Sequence, residues 1–223
     1  MRQAAHLALD RERLVERLYG TARPAYQAAP QNVFGFDPGW PRPSRDPAAA
    51  RRLLAAAGYP QGFATTIDVF AERAPLAESI RQDLADIGIA AVVNVVERGA
   101  VYDLAKSGER GLSFVGWVFS SGESGEFFEY CLHTRDSERG FNNLGGWSHR
   151  RIDAIAEANA ALVDTDERLK VLQEAGRLVV AELPVIPLYT PQDVYGVRNG
   201  VAFTPRADGE IWLPDVRPAG DAP

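Results

Sequence analysis

The chain has 223 residues, 46% apolar and 24% charged, with a formal net charge of −6. That balance is ordinary for a globular protein able to bury a core. The acidic excess argues against a nucleic-acid surface, which needs clustered positive charge to displace counterions. Of the 24 basic residues only Lys106 and Lys170 are lysines, a bias we assign to genome composition. Cys131 is the sole cysteine, so there is no intrachain disulfide from which to read a redox compartment. No stretch approaches the roughly 18 apolar residues of a membrane span. The N-terminus lacks an apolar signal-peptide core and enters a helix directly, which leads us to expect a preceding segment.

Residues 3–19 are expected to be helical, with Ala4, Leu7, Ala8, Leu14, Val15 and Leu18 at helical spacings and Gly20 as the stop. Asp10 offers an N-cap in the middle, so two helices sharing a capped joint are an alternative. Residues 21–45 hold five prolines. Loops of this length are functional or drape over the surface, and the simpler reading is a packed surface loop with Phe34, Phe36 and Trp40 as plugs. Asp46 then caps a short helix with Pro47 at its first position, and Gly58 closes it.

The middle of the chain is the most regular. A strand over 64–70, an amphipathic helix over 75–87 closed by Gly88, and a strand over 89–96 are expected. A short helix over 100–106 and a third strand over 112–119 follow. The strand over 89–96 is apolar at nearly every position, as for a strand buried on both faces. The order β-α-β-α-β predicts a parallel sheet with right-handed crossovers. Helices over 150–163 and 166–182 come next, then an extended run over 184–189. The tail holds β-like pieces at 194–198 and 211–213.

Catalytic motifs fail. There is no Gly-x-x-x-x-Gly-Lys phosphate loop and no His-Glu-x-x-His. His6, His133 and His149 lack ligand spacing, so no metal is expected, and no cofactor either. Residues 122–126 miss the nucleophile elbow by register, so an esterase using Ser120 or Ser124 is not expected. Cys131 and His133 are too close in sequence to form a thiolate–imidazole pair by themselves. Glu123, Glu126 and Glu129, three apart, are expected to form a solvated helical face. Catalysis has no positive support.

Ligands of parallel α/β sheets bind beyond the carboxyl ends of the strands. Those ends carry Arg73, suited to a bidentate carboxylate, then residues 97–99, then the stretch 112–130. Within that stretch Trp117, Phe119, Ser120, Ser121 and Glu123 are candidate ligand-binding residues: an aromatic wall with hydroxyls suits an organic solute. Trp117 and Phe119 are expected to face different layers. The plainer alternatives are a core anchor for Trp117 and a helix-flanking surface residue for Arg73.

The chain resembles a known family along nearly its whole length. Arg2-Gln3-Ala4 with Ala8-Leu9-Asp10-Arg11 and Gly20 is similar to one family block, and Asp46-Pro47 through Ala57-Gly58-Tyr59-Pro60 to another. Leu84, Ile87-Gly88-Ile89, Gly116-Trp117, Asn143, Asp153, Asp166-Glu167-Arg168 and Pro184 to Tyr189 fall at family spacing. The family is the extracytoplasmic solute-binding proteins of ABC importers, in the dipeptide/oligopeptide/nickel cluster (family 5). The resemblance implies an α/β, periplasmic-binding-protein-like lobe with a mixed, mostly parallel sheet flanked by helices. It implies that residues 1–193 form the C-terminal lobe of a two-lobed protein and that 194–223 return to an N-terminal lobe not contained in this segment. Implied partners are a peptide-like or other small organic ligand, a membrane permease and that second lobe, with the parent extracytoplasmic. Self-association through the unsupported tail is a further expectation. Peptide-binding relatives place an acid three residues after the Trp to hold the ligand's ammonium; here that position is Ser120, which departs from the pattern. An alternative role for the same lobe is effector sensing in a transcription regulator. One jaw alone is expected to bind weakly.

Overall fold

The computed structural model describes residues 1–18, 20–108, 111–206 and 209–220. The first helix is two, as the Asp10 cap allows: α1 (Arg2–Ala8) and α2 (Arg11–Glu16), with the Asp10 carboxylate accepting the Arg13 N–H at 3.0 Å. Tyr19, where the single helix was expected to end, lies outside the described residues. After the short strand β1 (Ala22–Pro24), α3 (Pro47–Ala56) starts where Asp46 accepts the Ala49 N–H at 2.8 Å.

The parallel unit forms as expected. β2 (Phe63–Val69) is the central strand, crossing by α4 (Ala74–Ala85) to β3 (Ile89–Val95) and by α5 (Arg98–Ser107) to β4 (Leu112–Ser113). The order is β3-β2-β4, all parallel, with Phe63 opposite Ile89 and Ile67 opposite Leu112. One face of the sheet, including Ile67, Val69, Ile89 and Ala91, packs with α1, α3 and α4 into a first core that also buries Leu54 and Leu84. Asp68 is buried on the central strand, where it accepts an Asn94 N–H at 2.6 Å.

Two expectations about the sheet are corrected. β3 is not buried on both faces: it is an edge strand, and Val92 is 63% exposed. The helix on that side, α5, lies chiefly against β2 and β4, leaving the far side of β3 to solvent. The third strand is also shorter than expected and stops at Ser113. Beyond it the Phe114 N–H still reaches the Asp68 carbonyl at 2.9 Å, but Trp117 and Phe119 leave the ladder for a second core.

That second core packs the one-turn helix α6 (Gly125–Phe127) and the π-helical turn Phe128–Leu132 against α7 (Arg150–Asn159) and α8 (Thr165–Glu182), burying Phe128, Ile152, Ile155 and Leu172. α8 is capped by Asp164, which accepts the Glu167 N–H at 2.9 Å. The extended run after α8 ends in β5 (Tyr189–Pro191), antiparallel to β1, so the chain returns to its own beginning. The strands expected at 194–198 and 211–213 do not form. Instead β6 (Val201–Ala202) pairs with β7 (Arg217–Pro218), while Ile211, Trp212 and Leu213 stay exposed because no core lies beneath them. The last three residues of the tail lie outside the described residues. Among the described residues no helix is long and apolar enough to cross a membrane.

Candidate functional site

Residues 119–124 leave the sheet end and close a tight turn, in which the Gly122 N–H donates to the Phe119 carbonyl at 3.1 Å. Gly122 has φ +75°, a left-handed conformation that suits glycine. The turn is held on two sides. From the proline-rich loop, the Phe34 N–H donates to the Gly122 carbonyl and the Ser124 N–H to the Phe34 carbonyl, both at 2.9 Å. Gly35 makes this approach feasible: it sits at φ +103°, and a Cβ there would lie 2.0 Å from Ser124 Oγ. From the helical side, the Glu123 carboxylate accepts the Asn159 amide at 2.8 Å and pairs with Arg168. The turn is also braced internally, because the Ser121 N–H donates to Glu126 Oε2 at 3.0 Å and the Glu123 N–H to Ser121 Oγ at 3.3 Å.

This framework opens a cleft of about 400 Å³ lined by Asn32, Val33, Phe119, Ser120, Ser121, Gly122 and Arg206. Three of the six candidate residues, Phe119, Ser120 and Ser121, meet there. Trp117 does not line it. Its ring packs on Phe127 and Tyr130 and borders a larger cavity of about 680 Å³ between the two cores, shared with Phe114, Cys131 and Trp147. Trp117 and Phe119 do not face different layers. Both rings rest on Phe127, in keeping with the rule that side chains two apart on extended backbone share a side.

Glu123 lies behind the turn with both carboxylate oxygens engaged, and so does not share a solvated face with Glu126 and Glu129. Arg73 stands apart from the cleft. Its guanidinium donates to the Tyr189 hydroxyl at 2.7 Å and lies 5.2 to 5.7 Å from the ring centres of Phe70, Phe114 and Tyr189. Arg73 is half-buried and flanks α4 as its N-cap residue, with one guanidinium N–H committed to Tyr189. Burial raises the Tyr189 hydroxyl's pKa, with Arg73 opposing.

Groups that chemistry would need are likewise spoken for. Ser124 is fully buried beneath Gly35, out of reach of an ester. Burial, with Glu126 adding to it, pushes the Cys131 thiol up to about 12, far from a reactive thiolate. Among the described residues no three His, Cys, Asp or Glu side chains form a metal-holding group. Sequence reasoning missed Asn32, Val33 and Arg206. They come from the proline-rich loop and the tail, and no local signal in either segment marks them.

The fold and the cleft define a periplasmic-binding-protein-like lobe. Over 97% of its length the chain superimposes on the structure of HbpA2 from Haemophilus parasuis with a TM-score of 0.81 at 27% identity, covering 44% of that chain. It matches the periplasmic binding protein DppA from Helicobacter pylori, in complex with the peptide STSA, with a TM-score of 0.78 at 25% identity, over 85% of this chain and 38% of that one. Residues 1–139 match the family described as bacterial extracellular solute-binding proteins, family 5 Middle, and the chain belongs to that family. Curated relatives include di/tripeptide-binding protein 3 of Pseudomonas aeruginosa, 27% identical over 84% of this chain and 36% of its own length. Heme-binding protein A of Haemophilus influenzae is 28% identical over 96% of this chain and 39% of its own length. The chain thus spans well under half the length of the curated relatives it matches.

Proposed function

We propose that this chain forms one jaw of the ligand cleft of an extracytoplasmic solute-binding protein serving an ABC-type importer. The observation that carries the reading is the braced turn at 119–124: a loop at the carboxyl end of a parallel sheet, held on two sides by contacts within the chain. Residues 1–193 are the C-terminal lobe, and 194–223 lead back to an N-terminal lobe that supplies the other jaw. Closure of the two lobes on the solute is what the membrane permease recognises. The role is binding without covalent chemistry, in the periplasm or its equivalent. The relatives' names include di- and tripeptide-, heme- and glutathione-binding proteins, so the solute is a small organic molecule of peptide-like size.

The test is a solute screen by thermal shift on the full-length secreted parent. A stabilising ligand is expected, and Ser120→Trp, which fills the cleft, is expected to abolish its effect. An unchanged shift in that variant removes the turn from the site. The 223-residue chain alone is expected to bind the same ligand far more weakly, because half the contacts and the exclusion of water are missing. Equal affinity for lobe and parent contradicts the two-jaw reading.

A further inference from the structure

We infer that the cavity between the two cores is a binding site for a neutral aromatic compound carrying one hydrogen-bond acceptor, to which the Trp117 indole N–H donates. The site shares no lining residue with the cleft at the 119–124 turn, and it stands whether or not that turn holds a solute. The cavity measures about 680 Å³. Close-packed interiors keep few voids larger than a water molecule, whereas ligand pockets span about 300 to 1,000 Å³. One wall comes from the second core, through Trp117, Phe127, Cys131 and Trp147. The other comes from the first core, through Ile67 and Phe114.

The wall is mostly apolar, so water inside finds few partners. Among the described residues no Asp or Glu lines it, and its one arginine, Arg2, is exposed. A charged guest would enter without a buried counter-ion, at a heavy cost away from water. The Cys131 thiol reports the same surroundings: burial, with Glu126 adding to it, pushes it up to about 12. The rings of Phe114, Trp117, Phe127 and Trp147 suit an aromatic guest. One buried donor in this wall is unspent. Trp117 Nε1 is buried and has no partner among the described residues. An indole N–H can only donate, and a buried donor left without an acceptor is costly. Trp147, in the same wall, differs, because its Nε1 donates to Glu182 at 3.2 Å. A carbonyl or ether oxygen on the guest therefore meets one N–H that nothing else uses.

The experiment is a 15N-1H NMR titration of the 223-residue chain with acetophenone and with α-methylstyrene, which keeps the planar shape and lacks the acceptor. The signals followed are the indole N–H groups of the four tryptophans and the amides of residues 119–122. Both probes are expected to shift the Trp117 indole saturably, and only acetophenone to move its proton downfield, as a new hydrogen bond does. Trp117→Phe keeps an aromatic wall and removes the N–H. It is expected to weaken acetophenone roughly tenfold, the size of one hydrogen bond, and to leave α-methylstyrene nearly unchanged. Leu144→Trp narrows the cavity from a half-buried position and is expected to abolish binding of both probes. Equal losses for the two probes in Trp117→Phe, or no loss for acetophenone, overturn the inference. Binding indifferent to Leu144→Trp overturns it as well. So do shifts confined to the amides of 119–122, which put the guest in the turn cleft, and the absence of any saturable shift in the wild-type chain.

Discussion

Arg11 Nη2 lies 2.9 Å from His6 Nδ1, and the same guanidinium donates to the carbonyls of His6 and Pro187. An arginine has only donors, so His6 must accept at Nδ1 and carry its proton on Nε2. Burial, then the Arg11 charge, pull the His6 pKa down to about 4. An unfolded histidine titrates near 6.5, so the unfolded chain takes up a proton between pH 6.5 and 4 that the folded chain refuses. Stability is complete above pH 6.5 and falls as pH drops through that window, by about 3 kcal/mol in total. His6→Gln keeps an acceptor for Arg11 and is expected to flatten this acid limb in urea melts at pH 4 to 7. An unchanged slope places the pH dependence elsewhere.

Asp83 is buried. It accepts the Asp10 N–H at 2.9 Å, pairs with Arg13 and lies 3.5 Å from Arg45. Burial raises its pKa against these partners. Removing the carboxylate strands an N–H and a guanidinium, so Asp83→Ala is expected to cost about 3 kcal/mol. Asp83→Asn keeps an acceptor and loses only the charge, so about 1 kcal/mol is expected. Chemical denaturation distinguishes the two; equal losses locate the stabilisation in the charge.

Gly35→Ala forces a side chain into a left-handed backbone at φ +103° and onto Ser124 Oγ. Gly58 has a similar φ of +88° but open space around it. Gly58→Ala therefore measures strain alone, about 1 kcal/mol, and Gly35→Ala is expected to cost roughly 3 kcal/mol. Hydrogen exchange at the Phe34 and Ser124 amides reports whether the bridge opens. Equal costs for the two variants contradict the steric account.

With its thiol at about 12, Cys131 is expected to react with Ellman's reagent at pH 8 roughly a thousandfold more slowly than free cysteine. The rate is expected to recover in denaturant. Fast labelling of the native chain rules out the buried placement.

Glu123→Ala leaves Asn159 and Arg168 facing an empty site and is expected to cost about 2 kcal/mol. Amide exchange should quicken across 119–124 while the first core stays protected. Loss of solute affinity without faster exchange would instead put Glu123 in direct contact with the ligand.

Much of this architecture follows from local signals. The caps at Asp10 and Asp46 and the alternation of strands and helices over residues 63–113 each depend on neighbours a few positions away. The end of the third strand does not. Residues 112–119 carry a strand's apolar pattern, but Phe127 of another core captures Trp117 and Phe119. Val92 reads as buried because composition cannot distinguish a central strand from an edge. At the site, Phe119, Ser120 and Ser121 were visible as a loop after an apolar run. Glu123 looked the same in sequence, and only Asn159 and Arg168, supplied by the α7–α8 segment, turn it away from the cleft. Asn32 and Arg206 reach the cleft through tertiary packing alone.

The Phe34 bridge also fixes when the cleft comes into being. Its bonds join an early loop to a turn far downstream, and Glu123 waits for Asn159, 36 residues later still. Ordering that turn requires closing both long spans, so loop-closure entropy delays it beyond the local helices. The turn is therefore expected to order only after α8, which supplies Arg168, is in place. Stopped-flow refolding with a reporter at Ser120 is expected to show the cleft signal in the slowest phase; its arrival with the early helices would break this ordering.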